Sequence, residues 1–144
     1  DINGNLALAQ QALQEARDQA ADLLVLPELF ILGYPAEDLV LKPSAVELSM
    51  AAIGKLAGET PDGPGILGGS PWRDGGKLHN SALLLGGGEI VYRYDKRELP
   101  NYGVFDEVRV FDPGIGPART VDFKGVRIGS QFVRISGSSG CRRT

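Results

Sequence analysis

The chain has 144 residues, of which 42% are hydrophobic, and its formal net charge is -3. This length is enough for one domain with one core, and the charge excludes the basic surface that nucleic acids or anionic membranes require. No apolar run is long enough to span a bilayer. The single cysteine excludes an internal disulfide framework and favours a reducing, cytoplasmic compartment, and together with the single histidine it disfavours a metal site.

The first element is predicted to be an amphipathic helix over residues 5–21. Apolar residues recur there at steps of three and four, at Leu6, Ala9, Leu13, Ala16 and Ala20. Asp1, Asn3 or Asn5 is expected to cap the helix start by accepting a backbone N–H. A helix that leads into a buried strand usually follows an earlier strand, so we expect a strand to precede residue 1.

The apolar run Leu23–Leu26 predicts a strand that is buried on both faces. Pro27 ends this strand, because proline brings no N–H to a ladder. Glu28 follows directly, at the carboxyl end of the strand, which is where α/β sheets bind ligands. The apolar residues after it would favour a carboxylate that takes up a proton, as a general base does. On this segment alone, an exposed glutamate that is paired or solvated is an equally good interpretation.

The remaining pattern predicts many short elements, in keeping with 20 glycines and 9 prolines. They are helical pieces at 37–41 and 45–57, a strand at 66–70, a hairpin turn at 74–76, a hairpin of 78–85 with 89–94, a strand at 108–111, and a hairpin of 120–123 with 126–128. His79, at a strand start, is expected to be a surface residue or a satisfied polar one. Gly86–Gly88 lies between two strand patterns and is therefore not a phosphate loop. The irregular, charged and aromatic segment 94–107 is a candidate site loop.

Two motifs carry a resemblance to a known family. The first is Leu26-Pro27-Glu28-Leu29 with Gly33-Tyr34 and Glu37-Asp38-Leu39, and the second is Lys96-x-x-Leu99-Pro100-Asn101-Tyr102 followed by Val104-Phe105-Asp106-Glu107-x-Arg109. Over residues 1–129 the chain resembles the nitrilase, or carbon–nitrogen hydrolase, superfamily. More narrowly, it resembles the glutaminase domain of bacterial glutamine-dependent NAD synthetase, to which the second motif is specific.

The resemblance implies an α/β fold, a partial α-β-β-α nitrilase-type sandwich, and a site that hydrolyses the amide of glutamine. In that site Glu28 matches the general base and Lys96 the lysine that stabilises the oxyanion. Tyr102 and Glu107 match positions near the glutamine substrate, and Glu107 is also a second glutamate that helps to hold the site together. The family implies no cofactor in this domain, a homo-oligomer, and a C-terminal synthetase domain that uses ATP and magnesium.

The third catalytic member of that family, a cysteine, has no counterpart in this chain. After Gly129 the family continues Val-Pro-Ile-Cys-Glu-Asp-Ile-Trp, whereas residues 130–137 read Ser-Gln-Phe-Val-Arg-Ile-Ser-Gly, with Val133 at the nucleophile position. One codon choice for the family peptide, shifted by one nucleotide, translates as these eight residues. We therefore predict a frameshifted, disordered tail over residues 130–144, in which Cys141 is a free thiol.

Three functions follow as hypotheses. The first is a glutamine amidohydrolase domain of NAD synthetase, inactive in this chain because the nucleophile is missing. The second is another amidase of the superfamily, against which Asn101–Phe105 argues. The third is a non-catalytic module that binds glutamine.

Overall fold

The computed structural model describes residues 1–102 and 105–129, apart from the side chains of Glu37, Tyr102 and Phe105. The helices are α1 (Ile2–Asp18), a short 3-10 helix (Glu37–Leu41), α2 (Pro43–Gly58) and α3 (Glu107–Val110). The strands are β1 (Leu23–Val25), β2 (Gly65–Asp74), β3 (Lys77–Gly86), β4 (Glu89–Asp95), β5 (Asn101–Tyr102), β6 (Phe105–Asp106), β7 (Thr120–Phe123) and β8 (Val126–Gly129). The predicted tail at 130–144 lies outside the described residues.

Strands β1 to β4 form one sheet in chain order. β1 runs parallel to β2, whereas β2, β3 and β4 are antiparallel to one another. Helices α1 and α2 pack together over one face of this sheet, and their apolar stripes meet the side chains of Ile66, Leu83 and Leu85. The pairs β5–β6 and β7–β8 form two separate two-stranded ladders.

Helix α1 begins earlier than predicted, because Asp1 is the residue that caps it. The Asp1 carboxylate accepts the backbone N–H of Asn3 at 3.1 Å. The helix ends at Asp18, three residues before the predicted end. Its buried positions are Leu6, Ala9, Leu13 and Ala16, so the apolar stripe was predicted correctly.

Strand β2 is longer than predicted, since it continues through Pro71 to Asp74. Pro71 lies opposite Asn80 of β3, and β1 ends opposite Leu67. At Pro71 the described sheet therefore places a neighbour on one side only. A proline is tolerated at such a position because no N–H is needed on the open side.

The prediction that Leu23–Leu26 is buried on both faces is wrong for the described chain. Leu23 and Leu24 are half-buried, and Val25 is 63% exposed. In the described residues β1 pairs with β2 alone. The apolar run predicted the strand correctly, but what packs over each face decides how much of it is buried: Leu24 packs against the helix-covered core, whereas Val25 lies on the other face.

The strand predicted at 108–111 is instead the short helix α3 followed by Phe111. The N–H of Phe111 donates to the carbonyl of Glu107 at 2.8 Å, which is a helical contact. Phe111 is 4% exposed and belongs to a second apolar cluster with Leu29, Leu32 and Val40. The β-propensity of Val108 and Val110 therefore does not decide the conformation of this segment.

The predicted hairpins are present. Gly75 and Gly76 have φ of 54° and 80°, as a two-residue turn between antiparallel strands requires. Gly86–Gly88 connects β3 to β4, as predicted, and does not precede a helix. In the part of the chain that the structure describes, no helix has the length and apolarity needed to cross a bilayer.

Candidate active site

Glu28 lies in the turn that follows β1, and this turn is seated directly on β2. Leu29 has a φ of +51° and is 1% exposed, so a bulky residue is held in a left-handed conformation by its burial. A Cβ atom at Gly69 of β2 would lie 2.5 Å from the Leu29 nitrogen and 2.9 Å from the Glu28 Cα. Only glycine at this position lets the backbone that carries Glu28 come so close to the sheet.

Lys96 follows the last residue of β4 and is fixed on both sides of its peptide. Its N–H donates to the carbonyl of Asn80 at 2.8 Å, and its own carbonyl accepts the N–H of Gly114 at 2.9 Å. A Cβ at Gly114 would lie 2.9 Å from the Asp95 carbonyl carbon, so a glycine again permits close approach.

Glu107 is the first residue of α3, and its N–H donates to the carbonyl of Pro100 at 3.1 Å. Its side chain is 11% exposed. The loop between β4 and α3 therefore returns the chain to the end of the sheet, where Glu107 meets the lysine that began the loop.

Three of the four predicted side chains converge on one point. Lys96 Nζ lies 2.9 Å from Glu28 Oε1, 3.2 Å from Glu107 Oε1 and 3.0 Å from Glu107 Oε2. The lysine side chain is 7% exposed and that of Glu28 is 33% exposed. One ammonium thus lies between two carboxylates, and the glutamate on the open side remains reachable from solvent.

Two opposing effects act on the pKa of Lys96. Burial, the largest single effect, lowers the pKa, whereas the hydrogen bonds and charges of Glu28 and Glu107 raise it. The carboxylates prevail, and the pKa of Lys96 lies above its ordinary value. The site therefore holds a permanent cation at neutral pH.

A cavity of about 340 Å³ adjoins this cluster. Glu107 is the member of the cluster that lines it, together with Leu29, Tyr34 and Phe111, whereas Glu28 and Lys96 do not line it. Arg109 also lines the cavity and donates to Asp38 at 2.8 Å and to Asp106 at 3.0 Å. Its size and its mixed lining fit a small polar molecule.

Within the described residues, no three His, Cys, Asp or Glu side chains are placed to hold a metal ion. The electrophilic group that the cluster offers is the Lys96 ammonium. A fixed ammonium beside a carboxylate base is suited to acyl transfer, in which charge develops on a carbonyl oxygen.

A statistical model of the carbon-nitrogen hydrolase family matches residues 1–137. The chain belongs to the carbon-nitrogen hydrolase family. Two curated relatives of this chain are glutamine-dependent NAD(+) synthetases. That of Rhodobacter capsulatus is 42% identical over 113 residues, covering 78% of this chain and 20% of the relative. That of Thermotoga maritima is 45% identical over 115 residues, covering 79% of this chain and 20% of the relative.

Solved structures agree with this assignment. A glutamine-dependent NAD+ synthetase from Acinetobacter baumannii superposes with a TM-score of 0.83 at 32% identity, over 90% of this chain and 24% of that one. An amidase of the nitrilase superfamily from Nesterenkonia sp. AN1 gives 0.77 at 31% identity, over 90% of this chain and 49% of that one. The predicted α/β, nitrilase-type fold is confirmed. The chain spans about a fifth of the length of the curated relatives it matches.

Of the residues predicted for the hydrolase site, Glu28, Lys96 and Glu107 lie together, and their roles stay predictions. Tyr102 is on β5, and its side chain lies outside the described part. His79 is 6% exposed, with Nδ1 at 2.9 Å from the Asp112 carbonyl, which is the satisfied polar role expected of it.

The sequence interpretation missed Asn80. Asn80 is fully buried and its Nδ2 donates to Glu28 Oε1 at 2.6 Å. A signal was present, because His79, Asn80 and Ser81 are three consecutive polar residues within a strand of otherwise apolar pattern. Buried polar residues of this kind need partners, and the partner of Asn80 is the predicted base.

Proposed function

We propose that this chain carries the base and the oxyanion-stabilising cation of a glutamine amidohydrolase, of the kind found in glutamine-dependent NAD synthetase. The observation that supports it is the position of Lys96, which lies 2.9 Å from Glu28 and 3.0 Å from Glu107. Glu107 in turn lines a cavity of about 340 Å³. The names of the relatives point to the same amide substrate.

In the proposed reaction each group has one task. Glu28 takes the proton of the attacking nucleophile, and Lys96 donates to the carbonyl oxygen as that oxygen becomes negative. Glu107 balances the charge of Lys96 and fixes its position. Tyr102 and the cavity next to Glu107 would receive the rest of the glutamine.

The nucleophile is the group that the proposal does not assign to this chain. Val133 occupies its position by resemblance, and a valine side chain has no atom that attacks a carbonyl. We propose that the chain as given binds glutamine without hydrolysing it. The restored reading frame would supply the cysteine.

The wider context is also proposed from the resemblance. Ammonia from glutamine would pass to a synthetase domain that amidates deamido-NAD with ATP and magnesium, within a cytoplasmic homo-oligomer. The relatives, five times longer than the part matched here, have room for such a domain.

Glutamine binding and ammonia release, measured together on the 144-residue chain, test the proposal. We expect calorimetric binding of glutamine and no ammonia above background. Absence of binding would remove the glutaminase assignment. Ammonia release would show that the chain is active and would leave the glutaminase assignment in place.

A second candidate is an amidase for substrates other than glutamine. The similarity to the Nesterenkonia amidase at a TM-score of 0.77 favours it. Competition separates the two candidates. If acetamide or propionamide displaces glutamine at comparable concentration, the simple-amide function is preferred.

A further inference from the structure

Asn80 touches both members of the proposed catalytic pair. Its side-chain Nδ2 donates to Glu28 Oε1 at 2.6 Å, and its backbone carbonyl accepts the Lys96 N–H at 2.8 Å. Lys96 Nζ donates to the same Glu28 oxygen at 2.9 Å. Two donors, one neutral and one charged, therefore converge on Oε1.

The other end of the Asn80 amide has no hydrogen-bond partner in the described part of the chain. Among the described residues nothing donates to Asn80 Oδ1, although this atom is buried. A buried acceptor without a hydrogen bond costs stability, so an apolar side chain would serve packing better at this point of β3. The benefit of an asparagine here is the hydrogen bond that its Nδ2 donates to Glu28.

The two oxygens of Glu28 are consequently different. The two donors, Asn80 Nδ2 and Lys96 Nζ, both reach Oε1, and the Glu28 side chain is 33% exposed, so the carboxylate can still be approached from solvent. Donors attract the lone pairs of Oε1 and weaken it as a proton acceptor, which leaves Oε2 as the more basic oxygen.

We propose that Asn80 is a positioning residue for the base, which holds Glu28 Oε1 and thereby assigns Oε2 to proton transfer. This inference rests on the proposed function, since Glu28 acts as a base only there. Asn80 itself touches no reacting atom. It acts by fixing the rotation of the Glu28 carboxylate.

Asn80→Asp gives a test with little change of shape. The new side chain donates to Glu28 only while it is protonated, and it repels Glu28 once it is charged. The groups around this position are Glu28, Lys96 and, through Lys96, Glu107, with uncharged Pro71 opposite on β2 and His79 beside it on β3, bound to the Asp112 carbonyl. The acidic variant should therefore resemble the wild type in acid and differ from it above neutral pH.

The main readout is the glutamine affinity of the 144-residue chain at pH 5 and pH 8, with folding checked by circular dichroism. We expect Asn80→Asp to bind about tenfold more weakly than wild type at pH 8, and to recover to within about threefold at pH 5. Recovery in acid shows that the variant is folded. Asn3→Asp, on the exposed start of α1, is the matched control and should follow the wild type at both pH values.

Melting curves over the same pH range give a second readout that needs no glutamine. Asn80→Asp should lower the melting temperature at pH 8 relative to pH 5. This difference should vanish in a Glu28→Gln background, because an amide can donate to the new carboxylate.

The outcomes are distinct. If wild type binds glutamine and Asn80→Asp weakens binding equally at both pH values, the positioning role is overturned while the proposed function stands. If wild type does not bind glutamine, the proposed function falls. In that case the melting curves decide whether Asn80 holds Glu28. If the pH-dependent change in melting temperature of Asn80→Asp persists in the Glu28→Gln background, the positioning role of Asn80 is refuted.

Discussion

Lys96 shows how burial and charge balance at a single residue. Taking an ammonium out of water is costly, and the cost is offset here because two carboxylates lie within 3.0 Å of it. Removing one member of such a group leaves a buried charge without its partner. The stability lost in this way exceeds the net stability that the whole group contributed.

Replacement of Lys96 by methionine tests this balance. We expect Lys96→Met to lower the free energy of unfolding by about 3 kcal/mol, because Glu28 and Glu107 then face each other unpaired. Urea denaturation measures the effect. The matched control is Lys124→Met, since Lys124 is an exposed lysine 3.7 Å from Asp22 and its loss should change stability by less than about 1 kcal/mol. Equal losses in the two variants would contradict the argument.

The raised pKa of Lys96 also predicts how stability depends on pH. A lysine whose pKa is higher in the folded state contributes stability that is fully present below its ordinary value of 10.5 and is lost as pH rises through the folded value. The stability difference between wild type and Lys96→Met should therefore be constant from pH 8 to 10 and shrink above 10.5.

Urea denaturation from pH 8 to 11.5 measures this difference. Burial raises the pKa of Tyr92, so the titration of this tyrosine also lowers the stability of the fold as the pH rises through the alkaline range. Both proteins should for that reason carry Tyr92→Phe. A difference that shrinks below pH 9 would show that Lys96 is not the group responsible.

At the scale of elements, the turn after β1 depends on the strand beneath it. Gly69 of β2 lies against the Glu28–Leu29 peptide, and Leu29 keeps a left-handed backbone. The position of the proposed base is thus set by contact between two elements that are about 40 residues apart in the chain.

A methyl group at Gly69 should disturb this contact. We expect Gly69→Ala to lower the free energy of unfolding by about 2 kcal/mol, since its Cβ would lie 2.5 Å from the Leu29 nitrogen. It should also weaken glutamine binding, because Glu28 moves with the turn. Gly54→Ala is the control, as Gly54 lies on α2 with nothing within 4 Å and should gain about 0.5 to 1 kcal/mol. If Gly69→Ala changed neither the free energy of unfolding nor glutamine binding, the turn that carries Glu28 would be able to move away from β2.

For the whole molecule, the exposed side of β1 is the feature that most favours association between chains. Val25 is 63% exposed on a strand that pairs with β2 alone within the described residues. A short apolar strand with an open edge is a template for pairing with a second chain. The isolated chain should accordingly associate as its concentration rises.

A lysine on β1 should suppress this association. We expect Val25→Lys to slow aggregation several-fold, measured by light scattering at rising concentration, with little change in melting temperature. Val126→Lys is the matched control, because Val126 is also 63% exposed but lies on the separate β7–β8 ladder. If both lysines slow aggregation equally, net charge and not the edge of β1 is responsible.

The sequence alone determined those features whose cause is local. Glycine pairs with positive φ fixed the hairpin at residues 75–76, the apolar steps gave α1, and the two motifs identified Glu28, Lys96 and Glu107. The tertiary structure decided what depends on neighbours far along the chain. Val25 is exposed because it lies outside both apolar clusters of the described residues, residues 107–110 are helical although their pattern reads as a strand, and Asn80 became relevant only once β3 placed it against Glu28. Burial and hydrogen-bond partners are properties of the assembled fold, and periodicity along one segment carries no information about them.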